Sequence, residues 1–128
     1  MIDLYTWTTP NGRKVSIALE ELALEYTAHA IDITQGEQHG QHFLTLSPNA
    51  KIPAIVDHDN ECVMMESGAI LLYLSEKTGQ LMPTDKPRYW EAIQWLMWQM
   101  AGPGPLLGQY TILPSLTLGK VPMRKTVI

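Results

Sequence analysis

Cysteine, basic clusters and long apolar runs are all scarce in this sequence. Its single cysteine, Cys62, excludes an internal disulfide and a Cys-x-x-Cys redox pair, and it suits a reducing compartment. A net charge of −4 without any basic run disfavours a nucleic-acid-binding surface. No run approaches the roughly 18 apolar residues of a membrane span, and the first residues lack the basic and apolar segments of a signal peptide. We therefore expect a cytoplasmic protein that binds neither nucleic acid nor a membrane.

The first half of the chain alternates strand and helix patterns, and a hydrophobic content of 45% is enough for a packed core. Residues 2–5 alternate apolar and polar side chains, as a half-buried strand does, and residues 26–32 form a weaker strand pattern. A short helix is predicted at residues 41–46. Between the two strands, a longer helix is predicted from an apolar stripe at helical spacing: Val15, Ala18, Leu19 and Leu22.

The most informative stretch lies between Ser47 and Leu74. A turn and an X-Pro bond lead into an apolar strand, a polar turn separates it from a second strand, and an apolar helix follows. In order, these elements are Ser47–Asn49, Ile52-Pro53, residues 54–56, residues 57–60, residues 62–65 and a helix from residue 66 that ends at Gly79. The resulting order βαβαββα predicts an α/β, thioredoxin-like domain with a mixed sheet over residues 1–79.

Two features of this stretch predict a binding site for a small acidic peptide. Pro53 stands at a strand entrance, and a cis Ile52-Pro53 bond would turn the N–H and C=O of Ile52 outward to pair with an extended peptide. Ser67 stands where a helix N-cap is expected, and the amides of a helix start attract a carboxylate. A buried turn and an ordinary cap without a ligand is the alternative.

The loop before the first helix is suited to hold an ionised thiol. Thr9 and Asn11 supply hydrogen-bond donors beside a helix N-terminus, and both effects lower the pKa of a thiol. Because no cysteine stands in this loop, the sulfur has to come from a ligand. In the simpler interpretation Thr9 only caps the helix, with Pro10 in its first turn, and the two interpretations are compatible.

These motifs resemble those of a known family. The run from Ala50 to Asp57, followed by residues 66–70, is similar to the glutathione transferases. Three further features resemble the bacterial nu class of that family, often described as disulfide-bond oxidoreductases: Thr9–Gly12, Gln38, and Phe43-Leu44 before Ser47-Pro48-Asn49. The resemblance extends from residue 1 to about residue 109.

The resemblance implies glutathione as a cosubstrate, with a small electrophile or a disulfide as the second substrate, and a homodimer. It implies that Thr9 and Asn11 are the catalytic residues and contact the glutathione sulfur. The peptide would be bound by Gln38, Lys51, Ile52 and Pro53, and its γ-glutamyl end by Glu66 and Ser67. No metal is expected, because His39 and His42 share a helical face without a third ligand at the required spacing.

The second half of the chain has a different composition. Residues 80–86 resemble a linker, and by the resemblance residues 87–109 form the first helix of an all-α domain, with Pro87 at its first position. Its large apolar residues lie on more than one face: Trp90, Trp95, Met97, Trp98 and Met100. Because the resemblance ends after Gln109, we expect a truncated or frameshifted gene, a poorly packed helix and an irregular, disordered tail over residues 110–128.

Three functions remain open at this point. The leading one is an enzyme that uses the thiolate of bound glutathione for disulfide reduction or conjugation. The second is a non-catalytic domain of the same fold that serves dimerisation or regulation, and the third is a fragment with little activity. Two other reactive side chains lie in predicted strands. Cys62 shares a strand face with Met64, which favours packing over a reactive thiol, and Tyr5 lies inside the first strand, where a packing role is also predicted.

Overall fold

The computed structural model describes residues 1–109, and the disorder expected for residues 110–128 concerns residues outside this range. The chain divides into two compact units, Met1–Thr84 and a second that begins at Asp85. Each unit is described by itself below. Within the described residues, no helix has the length and apolar character needed to cross a bilayer.

The first unit is a four-stranded mixed sheet with helices on both faces. The strands are β1 (Ile2–Thr6), β2 (Tyr26–Ala30), β3 (Ala54–Asp57) and β4 (Cys62–Met65), in the spatial order β2-β1-β3-β4. β1 is parallel to β2 and antiparallel to β3, and β3 is antiparallel to β4. The helices are α1 (Pro10–Glu21), α2 (Gln41–Leu46) and α3 (Ser67–Thr78), with a short 3-10 helix at Glu37–His39. This confirms the predicted thioredoxin-like order.

The main core lies between one face of the sheet and the packed pair α1 and α3. The predicted α1 stripe is buried there, facing alternate residues of β1 and the inner face of α3. The core side chains are Ile2, Leu4, Val15, Ala18, Leu19, Leu22, Ile55, Ile70 and Leu74. Burying each of the larger ones contributes about 1.5–3 kcal/mol, so this layer holds the helix starts firmly in place.

The opposite face of the sheet is covered by α2. Phe43 of α2 is buried and lies 6.4 Å, between ring centroids, from Tyr5 of β1. Tyr5 also stacks on His29 of the neighbouring strand at 4.8 Å. Tyr5 is therefore a packing residue in this fold, as its position within a strand predicted.

β2 ends at Ala30, two residues earlier than the strand pattern predicted. The reason is local: the carboxylate of Asp32 accepts hydrogen bonds from the amide and the hydroxyl of Thr34, at 2.8 and 2.6 Å. This side-chain turn competes with continued sheet pairing. It sends the chain away from the sheet toward the 3-10 helix.

The second unit contains α4 (Lys86–Ala101), and residues 103–109 are also helical. α4 begins one residue before the predicted Pro87, because Asp85 caps it by accepting a hydrogen bond from the Arg88 amide at 3.2 Å. No residue of α4 is fully buried, and its tryptophans are more than half exposed: Trp90, Trp95 and Trp98.

Candidate functional site

Three chain segments meet at one end of the strands of the sheet, where β1 and β4 end and β3 begins. Tyr5 pairs with Ala54, so the end of β1 runs beside the start of β3. Ala54 also pairs with Met65, which places Pro53 next to the step from β4 into α3. β2, parallel to β1, ends on the same side of the sheet. We call this end of the strands the site end.

At the site end, one backbone N–H group in the first turn of α1 has no acceptor among the described residues. Thr9 is the N-cap, and its hydroxyl oxygen accepts the Gly12 amide at 3.2 Å while its carbonyl accepts the Arg13 amide at 3.0 Å. Pro10 has no N–H to offer. Within residues 1–109 the amide of Asn11 has no hydrogen-bond acceptor, and its side chain is exposed. Thr9 thus caps α1 as predicted and keeps its hydroxyl proton for donation.

Close packing places this first turn against the end of β1. Gly12 is buried, and an added Cβ would clash with Thr6 Oγ1 and lie 2.6 Å from the carbonyl oxygen of Trp7. Only a residue without a side chain permits this approach. Gly12 therefore fixes the distance between β1 and the start of α1.

The segment leading into β3 is held by a buried serine that the sequence analysis treated only as part of a turn. Ser47 is 1% exposed, and its hydroxyl donates to the carbonyl of Lys51 at 2.8 Å. The Ala50 amide donates to the Ser47 carbonyl at 2.8 Å. The Ile52-Pro53 bond is cis, as predicted, and Pro53 is buried at the entrance of β3. The side chain of Lys51 is exposed.

At the start of α3, the prediction that Ser67 is the N-cap is wrong. The cap position is Glu66, whose backbone has a φ of 71° and whose side chain makes no capping hydrogen bond. The left-handed turn at Glu66 ends β4 and makes Ser67 the first residue of the helix. Ser67 is 3% exposed, and its Oγ accepts a hydrogen bond from Lys14 Nζ at 3.2 Å.

Lys14, which the sequence analysis did not single out, contacts the predicted site residue Ser67. It is half-buried on α1, burial lowers its pKa below 10.5, and the charge of Glu66 offsets part of that effect. A signal was present in the sequence. Lys14, Ala18 and Leu22 follow one another at intervals of four, so a lysine extends the buried stripe toward the helix start, where a cation is unusual.

Gln38 lies in the 3-10 helix, and one of its side-chain polar atoms has no hydrogen-bond partner among the described residues. Its Oε1 is buried and accepts no hydrogen bond from the part of the chain that is described. Its Nε2 lies 3.4 Å from Nε2 of His39. Within residues 1–109, the side chain of Gln38 therefore contacts its neighbour His39 and none of the other predicted site residues. A buried acceptor without a donor is a place where a ligand N–H would be stabilised.

Two further kinds of site bear on function: a surface depression and a possible metal site. A surface depression of about 340 Å³ lies on the β2 side of α1, lined by residues that include Trp7, Arg13 and Ala28. None of the eight predicted site residues lines it, so it is separate from the predicted peptide site. Over residues 1–109, no group of three or more His, Cys, Asp or Glu is arranged to hold a metal ion.

Comparison with known families identifies the first unit. A family model described as "Glutathione S-transferase, N-terminal domain" matches residues 8–77, more than half of the chain. The chain belongs to the glutathione S-transferase family. The matched range includes all eight predicted site residues.

Relatives of known name are close in sequence. The disulfide-bond oxidoreductase YfcG of Escherichia coli is 48% identical over 114 residues, which is 85% of this chain and 53% of YfcG. YghU of the same organism, also a disulfide-bond oxidoreductase, is 44% identical over 84% of this chain and 40% of YghU. The chain therefore spans about half the length of the relatives that it matches.

Solved structures of family members share the fold at high similarity. A glutathione transferase family member from Pseudomonas fluorescens, solved with two glutathione molecules bound, superposes with a TM-score of 0.87 at 44% identity, covering 95% of this chain and 56% of that one. A glutathione transferase from Pseudomonas putida, with one glutathione disulfide per subunit, gives a TM-score of 0.87 at 41% identity over 97% of this chain and 56% of its own.

Proposed function

We propose that the first unit binds glutathione at the site end and catalyses thiol–disulfide exchange. The names of its relatives YfcG and YghU, both disulfide-bond oxidoreductases, describe this activity for those proteins. The observation that supports this most is the meeting of two helix starts and a strand entrance at one end of the strands of the sheet. The start of α1 suits an anionic sulfur, and the start of α3 suits a carboxylate. The strand entrance at Pro53 suits an extended peptide between them.

The residues present fit a small acidic peptide with a thiol. The orphan acceptor of Gln38 suits a peptide N–H, and the exposed ammonium of Lys51 suits a carboxylate. The exposed carboxylate of Glu66 and the hydroxyl of Ser67 stand together where the ammonium and carboxylate of a γ-glutamyl group would bind. We assign these residues, with the backbone of Ile52, to binding.

Bound glutathione supplies the reactive thiol, which this chain does not provide at the site end. The chain's cysteine, Cys62, pairs with Asp57 at the far end of the sheet. Thr9 and Asn11 stabilise the ionised sulfur through a hydroxyl, a backbone amide and a side-chain amide. The net reaction balances as two glutathione thiols and one disulfide giving glutathione disulfide and two thiols.

Calorimetric titration of the 128-residue chain with glutathione tests the binding site. We expect Ser67→Ala to weaken binding about tenfold, because a buried hydroxyl that binds the ligand carboxylate is lost. Its free energy of unfolding should fall by about 1 kcal/mol, because the lost hydroxyl accepts a hydrogen bond from Lys14 but does not cap the helix. Ser16→Ala, which removes a hydroxyl bonded to the Arg13 carbonyl on the same helix as Thr9, is the matched control.

The result decides between the functions. Measurable binding together with reduction of a small disulfide supports the exchange reaction. Binding without turnover identifies the alternative, a glutathione-binding module without catalysis. Absence of binding by a folded, unsubstituted chain contradicts the proposal.

A further inference from the structure

β2 is an edge strand of the sheet, so one row of its backbone groups has no neighbouring strand among residues 1–109. Two hydrogen bonds at the ends of its ladder show which row faces β1. Ile2 donates to the carbonyl of Glu25 at 3.3 Å, and Ile31 donates to the carbonyl of Thr6 at 2.9 Å. Because backbone groups alternate in direction along a strand, the odd-numbered residues of β2 face β1. The N–H and C=O groups that face outward belong to Tyr26, Ala28 and Ala30.

This edge lacks the features that usually prevent a sheet edge from pairing with another chain. Such edges are commonly protected by proline, by lysine or other charges, or by a bulge. The sequence of β2, Tyr-Thr-Ala-His-Ala, contains no proline, lysine or carboxylate, and its register with β1 is continuous. Thr27, Ala28 and Ala30 are exposed. β2 is therefore open to the addition of a further strand.

The depression of about 340 Å³ lies beside this open edge. Ala28 and Ala30 line it from β2, and Arg13 and Ser16 line it from α1. The register pairs Ala28 with the core residue Leu4, so the side chains of both alanines are on the face of the sheet that carries α1. An extended chain added to β2 would direct every second side chain to that same face, and so toward the depression.

The charge beside the depression favours an acidic side chain. Arg13 is exposed, and within residues 1–109 its guanidinium has no ion-pair or hydrogen-bond partner. Glu20, further along α1, accepts a hydrogen bond from the Tyr26 hydroxyl at 2.8 Å. The ring of Trp7 and the alanine methyl groups give the depression apolar walls. A guanidinium among apolar walls is complementary to a strand in which acidic and apolar side chains share one face.

We propose that β2 is a docking edge for an extended segment of another protein, with acidic and apolar side chains on its α1-facing side. The backbone of the segment pairs with Tyr26, Ala28 and Ala30, and an acidic side chain pairs with Arg13. None of the eight predicted site residues lines the depression. The inference therefore goes beyond the proposed function and does not depend on it.

A nuclear magnetic resonance titration of the isotope-labelled 128-residue chain with a synthetic peptide tests the proposal. The peptide is acetyl-Thr-Val-Thr-Glu-Thr-Val-Thr-amide, whose valine and glutamate side chains share one face when it is extended. We expect the amide protons of Ala28 and Ala30 to move downfield as they enter hydrogen bonds. Lysine in place of the glutamate should weaken binding about fivefold. Proline in place of the two central threonines should abolish it, because strand donors are lost.

Two variants of the full chain separate backbone pairing from charge. Ala28→Pro removes an outward N–H without removing a donor to β1, and it should weaken binding of the glutamate peptide at least about tenfold. Arg13→Gln should remove most of the preference for glutamate over lysine. Arg88→Gln removes an exposed cation from the second unit and, as the matched control, should leave both affinities within about twofold. Circular dichroism of each variant establishes that it is folded.

The peptide comparison on the unsubstituted chain decides the matter whether or not a variant folds. Stationary amides of Ala28 and Ala30 with the glutamate peptide, or equal binding of the proline peptide, overturn the proposal. So does movement of these amides when the chain alone is concentrated, since a second copy would then be the occupant of the edge. Equal affinities for the glutamate and lysine peptides overturn the preference for an acidic segment.

Discussion

The two ends of the sheet differ in how far their polar groups are paired with one another. At the end away from the site, which we call the hairpin end, Lys77 Nζ lies 2.6 Å from Asp57 Oδ2 and 2.7 Å from Asp59 Oδ2. The N-terminal ammonium lies 2.7 Å from Asp59 Oδ1, and Tyr73 donates to the fully buried carboxylate of Asp57. At the site end, by contrast, the Asn11 amide has no hydrogen-bond partner within residues 1–109.

Under the proposed function, the hairpin end serves stability and the site end serves binding. Burial alone would raise the pKa of Asp57, but hydrogen bonds from Lys77, Tyr73 and the Asp59 amide lower it below 3.8. The same lysine and the N-terminus lower the pKa of Asp59 to about 2, and the two carboxylates raise the pKa of Lys77. These charges are satisfied by one another, whereas the Asn11 amide at the site end has no acceptor within residues 1–109.

The largest effect is expected from Gly12→Ala, which pushes α1 away from the end of β1. A methyl group would lie 2.6 Å from the Trp7 carbonyl oxygen, which is backbone and cannot turn aside. We expect a loss of about 3 kcal/mol in the free energy of unfolding, measured by urea denaturation, despite the better helix propensity of alanine. Gly108→Ala, where an added Cβ meets no atom of residues 1–109 within 4 Å, should cost little. Unchanged stability in Gly12→Ala would show that the site end is loosely packed.

Asp57→Asn should separate stability from binding. It keeps the shape of the side chain but removes the charge that Lys77 and Tyr73 bind, and we expect a loss of about 2 kcal/mol in the free energy of unfolding. Glutathione affinity, measured by calorimetry on the folded variant, should stay within about twofold. A tenfold weaker affinity would mean that the two ends are coupled.

Asn11→Ala should change the bound thiol with little effect on folding. Because donors to the charged form are lost, the pKa of the thiol of bound glutathione should rise, by about one unit at most. Ultraviolet titration of the thiolate measures this. Asn60→Ala at the hairpin end is the matched control: Asn60 bonds to Tyr73 and to the Cys62 amide, so its loss should affect stability and leave the thiol unchanged. An identical titration curve for Asn11→Ala would remove it from the catalytic pair.

The smallest expected effect is on how the free energy of unfolding depends on pH under acidic conditions. The folded-state pKa of Asp59 is about 2, below its ordinary 3.8, so its contribution is complete above 3.8 and is lost as the pH falls toward 2. Between pH 4 and pH 2, the free energy of unfolding should therefore decrease less in Asp59→Asn than in the unsubstituted chain. Urea denaturation at several acidic pH values measures the slope, and equal slopes would contradict the assigned network.

Patterns set by short-range periodicity were predicted well from the sequence. The α1 stripe and the strand Cys62–Met65 were found because spacing along the chain determines which side chains share a face. The error at Ser67 has a backbone cause, since the left-handed turn at Glu66 is not visible in residue types. The contact between Lys14 and Ser67 joins residues 53 positions apart, and it appears only when α1 and α3 pack together.

The most direct test of this division is a nuclear magnetic resonance titration of the isotope-labelled chain with glutathione, following each backbone amide. We expect the largest shifts at Asn11, Ile52 and Ser67, with Gln38 also affected. The amides of the hairpin, from His58 to Cys62, should stay close to their initial positions. No shifts at the site end, or shifts centred on the hairpin, would contradict the assignment of binding to one end of the sheet and stability to the other.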